Sequence, residues 1–367
     1  MKKKIVIASV LKPIDDVRAF WKLSQSIAKT NKYEVNIIGN DTKKEPYFEN
    51  VNFHAHRILR TQWIKRWIVR LKILFKIISL KPSILIITTH ELIIIAFLSK
   101  MITGCKVVYD VQENHFLNLT NINPTPIKRI YAWMIRAKEV ASQLFISTYW
   151  LAEKCYRDQL HFVKGKNTVI ENKAFKSKPS TGMNKEIVVL FSGTISEYGG
   201  VSKAISFYKK LLKLKPDSTL KIIGQIHDSR IEKMLVKEAE IFPGIELYIS
   251  YEPIPHPEIL KAISQATIGV IGYQPSKVNK EKIPTKLYEY SRYRLPYLVE
   301  KDTLWSKAGA DLGGAIPVDF DSINLENVYE KIKNPKKLFT NEYPLEAIWE
   351  EESVKIFTSL DKLISGH

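Results

Sequence analysis

The sequence predicts an α/β protein built from two parallel-sheet domains, and three observations carry that expectation. A chain of 367 residues exceeds what one hydrophobic core usually serves. Along its first half, the β-branched runs KKIVIAS, YEVNIIG, SILIITT, KVVYDV and SQLFIST alternate with stretches of helical spacing. After KSKPSTGMNKE, a Ser-, Pro-, Gly- and Lys-rich stretch that reads as a linker, the alternation restarts. Nearly continuous apolar strands separated by helices imply a sheet covered on both faces, a Rossmann-like unit. Ligands of such sheets gather beyond the strand carboxyl ends.

The helical stretches of the first half are DVRAFWKLSQSIAKT, a basic tryptophan segment and ELIIIAFLSKMITG. In the second half, EIVVLFSG, STLKIIG, IELYIS, ATIGVIGY and LPYLVE read as strands. VSKAISFYKKLLKL, DSRIEKMLVKEAEIF, PHPEILKAIS and TKLYEYSRY read as the helices between them. The expected domains are 1–178 and 185–345, with 346–367 a last helix after the second sheet is complete.

Composition narrows the class. The 45% hydrophobic and 26% charged fractions describe a soluble globular protein. Two cysteines, Cys105 and Cys155, make no disulfide framework or metal cluster, which fits a reducing, cytoplasmic setting. The apolar run of MKKKIVIASVLKP is too short for a signal peptide and reads as a first strand. SILIITTHELIIIAFLSKMITG approaches the length of a membrane span, but His90 and Glu91 sit in its middle, so it reads as strand then helix.

The formal net charge of +18 calls for an anionic partner. No acid occurs between Glu49 and Glu91, where Arg57, Arg60, Lys65, Arg66, Arg70, Lys72, Lys76 and Lys81 all stand. Trp63, Ile64, Trp67, Ile68, Leu71 and Phe75 recur there at helical spacing. Cations beside tryptophans on an amphipathic helix suit an anionic membrane surface, so a Trp63–Lys76 helix is the expected contact. A core-facing helix with a solvated basic back has the same pattern. No zinc-finger spacing or RNA-binding aromatic motif appears, and a nucleic-acid partner is not expected.

The segment EKIPTKLYE carries the chemistry. With Pro284 in the first turn of a helix, the amides of Thr285, Lys286 and Leu287 point outward toward any bound anion. Lys286 adds a cation there, and Glu289 follows one turn later. Glu281 lies on the preceding loop. The arrangement suits a nucleoside diphosphate on the helix end with one carboxylate for each of two sugar rings; a surface helix with solvated charges reads the same way.

In company, these segments resemble the GT-B glycosyltransferases, and within them retaining glycosyltransferase family 4. Glu281 and Glu289, with seven residues between, resemble that family's paired-glutamate motif, and IPTKLYEYSRYRLPYLV its run into a final strand. VLFSGTISEYGGV resembles the Gly turn opening the second domain, and VVYDVQENH the acidic turn of the first. KPIDDVRAFWKLSQSIAK resembles the first loop and helix, and the terminal WEEE segment the helix that crosses back to the first domain.

The resemblance implies two Rossmann-like domains facing across a cleft, the first binding acceptor and the second a nucleotide sugar. It implies a metal-independent hexosyltransferase, retaining at the anomeric carbon, with no cofactor beyond its nucleotide-sugar co-substrate. The acceptor class implied is a cell-envelope or lipid-linked glycan, and the setting the inner face of the membrane. Glu281 would contact the donor sugar and Glu289 the ribose. The amides around Pro284, Thr285, Lys286 and Leu287 would hold the diphosphate, approached by Gly193 and Thr194. The base would lie near Gly224, Ile254 and Glu258. Lys286, with Lys277, Lys280 or Lys282, would offset the leaving charge in place of a divalent ion.

Two departures stand out. SGTISEYGG lacks the Arg and Lys that many members carry in that turn, Lys203 falling later, and Gln112 stands near the place of a family His. On the acceptor side, Asp110 ends an apolar strand and either orients hydroxyls or caps a turn. Asp16 lines the cleft or caps the first helix. Arg18 meets an anionic acceptor, and Glu113 and His115 share the turn after Asp110. Asn172 is expected to be structural, and Tyr288, Tyr290 and Tyr293 to pack. Two rival functions remain open: a nucleotide-sugar epimerase of the same fold, and a non-catalytic basic protein binding membrane or nucleic acid.

Overall fold

The computed structural model describes residues 2–42, 46–59, 62–121, 123–176, 186–339 and 343–365, apart from the side chains of Trp63, Ile64 and Glu346. Most of the expected linker falls outside these residues. The chain forms two compact units, Met1–Asn172 with Trp349–His367, and Lys173–Ile348.

The strands of the first unit are β1 (Lys3–Pro13), β2 (Tyr33–Asn40), β3 (Val51–His56), β4 (Ile84–Ile87), β5 (Lys106–Val111), β6 (Thr148–Leu151) and β7 (Asn167–Val169). Its helices are α1 (Gln25–Lys29), continued from a π-helical turn over Val17–Ser24, then α2 (Trp63–Leu80), α3 (Ile93–Thr103), α4 (His115–Thr120), α5 (Pro126–Ala141) and α6 (Tyr156–Gln159). The sheet order is β3-β2-β1-β4-β5-β6-β7, and every pairing is parallel. Because the chain works outward from β1 to β3 and then returns to β1's other side with β4, the order reverses between β1 and β4. That is where such sheets open a crevice.

The second unit holds β8 (Val188–Ile195), α7 (Val201–Leu212), β9 (Thr219–Ile226), α8 (Ser229–Ile241), β10 (Ile245–Ser250), α9 (His256–Gln265) and β11 (Ile268–Ile271). It continues with α10 (Thr285–Arg292), β12 (Tyr297–Glu300), α11 (Leu304–Leu312), β13 (Ala315–Val318) and α12 (Leu325–Lys333). Its parallel order, β10-β9-β8-β11-β12-β13, reverses between β8 and β11. Consecutive β8 residues serve opposite faces. Val189 and Phe191 join the core under α7 and α12, and Leu190 joins the core with Leu287, Tyr290 and Trp305.

The last helix, α13 (Trp349–Ser365), belongs to the first unit. Trp349 Nε1 donates to Ser26 Oγ at 2.9 Å, and Trp150 Nε1 donates to Ser359 Oγ at 2.9 Å. Of the acids in WEEE, Glu352 is buried and accepts the Glu171 amide at 2.9 Å. One acid of that motif therefore anchors the helix.

Two details depart from the sequence expectations, and two others bear on readings that the sequence left open or made. SQLFIST is not a strand: Ser142–Leu144 closes α5 as a 3-10 turn, and β6 begins only at Thr148. The pattern also gave no sign of β3, β7 and β13. On α2 the buried residues are Val69, Ile73, Leu74 and Ile77, while Trp67, Ile68, Leu71 and Phe75 are exposed. The described part of the stripe, Trp67 to Phe75, is thus not the face that enters the core. No helix among the described residues is long and apolar enough to cross a membrane, and SILIITTHELIIIAFLSKMITG divides into β4 and α3.

Candidate functional site

In the second unit the candidate residues collect where the sheet order reverses, at the carboxyl ends of β8 and β11. Pro284 is the N-cap of α10, one residue earlier than a first-turn position, and no side chain caps the helix. The Leu287 amide donates to the Pro284 carbonyl at 2.9 Å, so it is not free as expected. A ligand at this end meets the amides of Thr285 and Lys286. Leu287 contributes instead by burial, anchoring α10 in the core.

Lys286 is the centre of the site. It is only 8% exposed, and its Nζ lies 4.8 Å from the Phe191 ring centre and 5.2 Å from that of Tyr273. Two aromatic faces hold the ammonium by cation–π attraction, and among the described residues no carboxylate pairs with it. Its stem crosses Gly193, where an added Cβ would come within 2.9 Å of Lys286 Cε. Gly193 also has φ of 95°, a left-handed value that favours glycine. Behind it, a Cβ on Gly224 would lie 1.7 Å from the Gly193 carbonyl oxygen, so only glycine lets β9 approach β8 here. Thr194 is exposed beside Gly193.

Glu289 is buried, and His256 Nε2 donates to its Oε1 at 2.8 Å. The sequence reading passed over His256, although it lies in the YEPIPHPE segment that supplied Ile254 and Glu258. A His opening the helix between two apolar strand patterns was the available signal. Ile254 is half-buried against the Leu287 core, and Glu258 is exposed in the first turn of α9. Glu281 is exposed on the turn before α10, and Trp305 Nε1 ties that loop down by donating to the Lys282 carbonyl at 2.8 Å. Tyr290 is fully buried and shares a 2.9 Å hydrogen bond with Ser192 Oγ, so it packs as expected. Lys203 lies on α7 and pairs with Glu300 at 2.7 Å, which removes it as a diphosphate cation.

In the first unit the geometry assigns several candidates internal work. Asp110 is fully buried, and its carboxylate accepts from Arg18 Nε at 2.8 Å, Arg18 Nη2 at 2.6 Å and Gln112 Nε2 at 2.6 Å. Arg18, 3% exposed, also donates to the Ile170 carbonyl at 2.8 Å and to Asn172 Oδ1 at 2.9 Å. A guanidinium so enclosed is a strut that joins the β1 loop, β5 and the end of the unit; it does not reach out to an acceptor. Asp16 caps the first helix, accepting the amides of Arg18 at 3.0 Å and Ala19 at 2.8 Å.

Glu113 is exposed and accepts from Asn118 at 3.1 Å. His115 packs edge-on against His90, ring centres 4.4 Å apart. Burial, together with the positive charge of His115, Lys138, Arg70 and Arg66, pushes His90 down to about 3. Neither His90 ring nitrogen has a hydrogen-bond partner among the described residues. Burial also lowers His115, against the pull of Glu113 and Glu91. Among the described residues no three His, Cys, Asp or Glu side chains cluster closely enough to hold a metal.

No protein-family model matches the chain, and no curated protein sequence matches it. Solved structures do. A sucrose-phosphate synthase from Thermosynechococcus elongatus superposes with a TM-score of 0.70 at 11% identity, covering 100% of both chains. HepE of Anabaena, in complex with UDP and glucose, gives 0.59 at 13% identity over 99% of each chain. A candidate UDP-N-acetylglucosamine 2-epimerase from Listeria monocytogenes gives 0.61 at 12% identity, over 100% of this chain and 98% of that one. Sequence identity is low throughout, but the likeness runs the whole length of the chain: its fold is that of the GT-B glycosyltransferases, two Rossmann-like domains with parallel sheets of seven and six strands.

Proposed function

We propose that this chain is a retaining glycosyltransferase that moves a hexose from a nucleoside-diphosphate sugar to a cell-envelope or lipid-linked glycan. The observation that carries the reading is Lys286: a buried ammonium, without a carboxylate, beside the open start of α10 and the Gly193 turn. A diphosphate on the Thr285 and Lys286 amides places its charge where a cation already stands. Breaking the bond between the anomeric carbon and the diphosphate oxygen concentrates negative charge on the leaving group. Donors fixed in advance stabilise that charge without reorganising. No metal is needed in this scheme.

Glu289, oriented by His256, receives the ribose hydroxyls, and Glu281 on the preceding loop receives those of the sugar. Asp110 acts at a distance, holding Arg18 and through it the β1 loop. The acceptor is met by the first unit, with Glu113 and His115 at its carboxyl-end crevice. The exposed stripe Trp67, Ile68, Leu71 and Phe75, with Lys65 and Lys72 beside it, supports peripheral binding to an anionic inner membrane surface. HepE's complexes with UDP support a nucleotide-sugar donor.

The Listeria likeness favours a second reading, an epimerase acting on one sugar nucleotide without an acceptor. Incubation with UDP-, GDP- and ADP-hexoses, with and without membrane lipid extract, separates the two. Nucleotide release that requires extract, with an axial or equatorial linkage matching the donor, is the expected result. Conversion of one free sugar nucleotide into its epimer would replace this reading.

A further inference from the structure

A cavity of about 300 Å³ lies at the amino-end edge of the first sheet, lined by Lys100, Lys106, Lys166 and Lys362. Lys106 opens β5, Ser147 directly precedes β6 and Lys166 directly precedes β7. The cavity therefore sits at the other end of the strands from the crevice between β1 and β4, and the transferase reading makes no use of it.

Four lysines line this space, and among the described residues no carboxylate lines it. Their mutual repulsion is visible at Lys100: burial lowers it most, and the like charges of Lys106 and Lys166 lower it further. Lys100 Nζ donates to the Phe145 carbonyl at 2.6 Å, which fixes one cation on the wall. Lys209, by contrast, has an acid beside it, Glu238 at 2.6 Å. An anionic ligand would compensate these charges. A phosphate suits the place, since its several oxygens can accept from separate ammonium groups at once, and lysine serves phosphate as a point charge. Apolar residues border the cavity: Leu144, Phe145, Ile146 and Leu363 line it, and Leu144 is 91% exposed.

We propose that this four-lysine cavity binds a phosphate ester, at a site separate from the donor site. Leu144 and Leu363 would lie against the acyl region if the ester is a lipid headgroup; a free phosphate ester offers the same chemistry to the lysines.

The test titrates the full chain with glycerol 1-phosphate at low salt by calorimetry. Lys106→Ala/Lys166→Ala alters two exposed positions, and its melting temperature controls for folding. The wild type is expected to show one saturable site, about tenfold or more weaker in the double variant and unchanged in Lys286→Met. Vesicles of phosphatidylglycerol in phosphatidylcholine identify the carrier. Reduced co-sedimentation of the double variant, reproduced in the wild type by added glycerol 1-phosphate, assigns a lipid headgroup. Saturable binding of the ester with vesicle binding unaltered assigns a soluble phosphate ester, which equally supports the site. A flat wild-type titration, or equal affinity in wild type and double variant, overturns the proposal.

Discussion

Lys286 stands in a nearly sealed position against two ring faces, an attraction of about 0.5–2 kcal/mol. That holds the ammonium in place while leaving it available to an anion. Lys286→Met should preserve the fold and weaken nucleoside-diphosphate binding by about tenfold to a hundredfold, the loss of one charge-assisted hydrogen bond. Titration calorimetry reads this directly. Glu281→Ala should abolish transfer while nucleotide still binds, whereas Glu289→Ala, and His256→Ala through it, should weaken nucleotide binding itself; equal nucleotide affinity in the two glutamate variants would refute that division. Arg18→Met should cost about 3–5 kcal/mol in urea unfolding, because it strands the Asp110 carboxylate without its cation. His90 gives a pH signature. Its folded value of about 3 lies below the ordinary 6.5, so the fold favours the neutral ring. That contribution is intact above pH 6.5 and is lost as pH falls toward 3. Between pH 6.5 and 5 wild type should lose about 2 kcal/mol more stability than His90→Leu. The sequence disclosed the residue types here but not their pairings: nothing in KPIDDVR says that Arg18 reaches Asp110, ninety-two positions away.

Most buried strands were legible, although the edge strand β10 was read and the inner strand β6 was misplaced. β1, β4 and β8 lie inside their sheets, and their apolar runs announced them. β3, β7 and β13 are edge strands. VNFHAH carries two histidines, NTV has three residues, and Pro317 sits in β13, where an edge tolerates its missing N–H. These three edge strands are partly solvated, so they lack the continuous apolar run that marks a central strand. The same limit applied to α2, whose apolar stripe gives its spacing but not its direction. Direction matters for the membrane test. Arg66 and Arg70 both pair with the largely buried Glu91, so reversing their charge would damage the fold. Lys65→Glu/Lys72→Glu with Trp67→Ala changes exposed positions only. This triple variant should lose most binding to phosphatidylglycerol vesicles, at about 1 kcal/mol for each cation removed, while its melting temperature holds. Unaltered co-sedimentation would remove α2 from the membrane contact.

For the whole molecule, two sheets with the same reversal of strand order arise from one repeated pattern of apolar strand and amphipathic helix. That pattern is local, and it was readable. In the proposed transferase, base, sugar and acceptor would depend on loops such as the turn before α10 and the segment before α9, whose shapes no spacing encodes. The claim that unites the chain is that the second unit binds a nucleoside diphosphate around Lys286. Thermal unfolding of wild type and Lys286→Met with UDP, GDP and ADP tests it most directly. At a concentration about a hundred times Kd, one nucleotide should stabilise the wild type by about 2.7 kcal/mol, a rise of roughly 5–10 °C, and the variant by much less. Wild type unmoved by all three nucleotides, or variant and wild type raised equally, would contradict it.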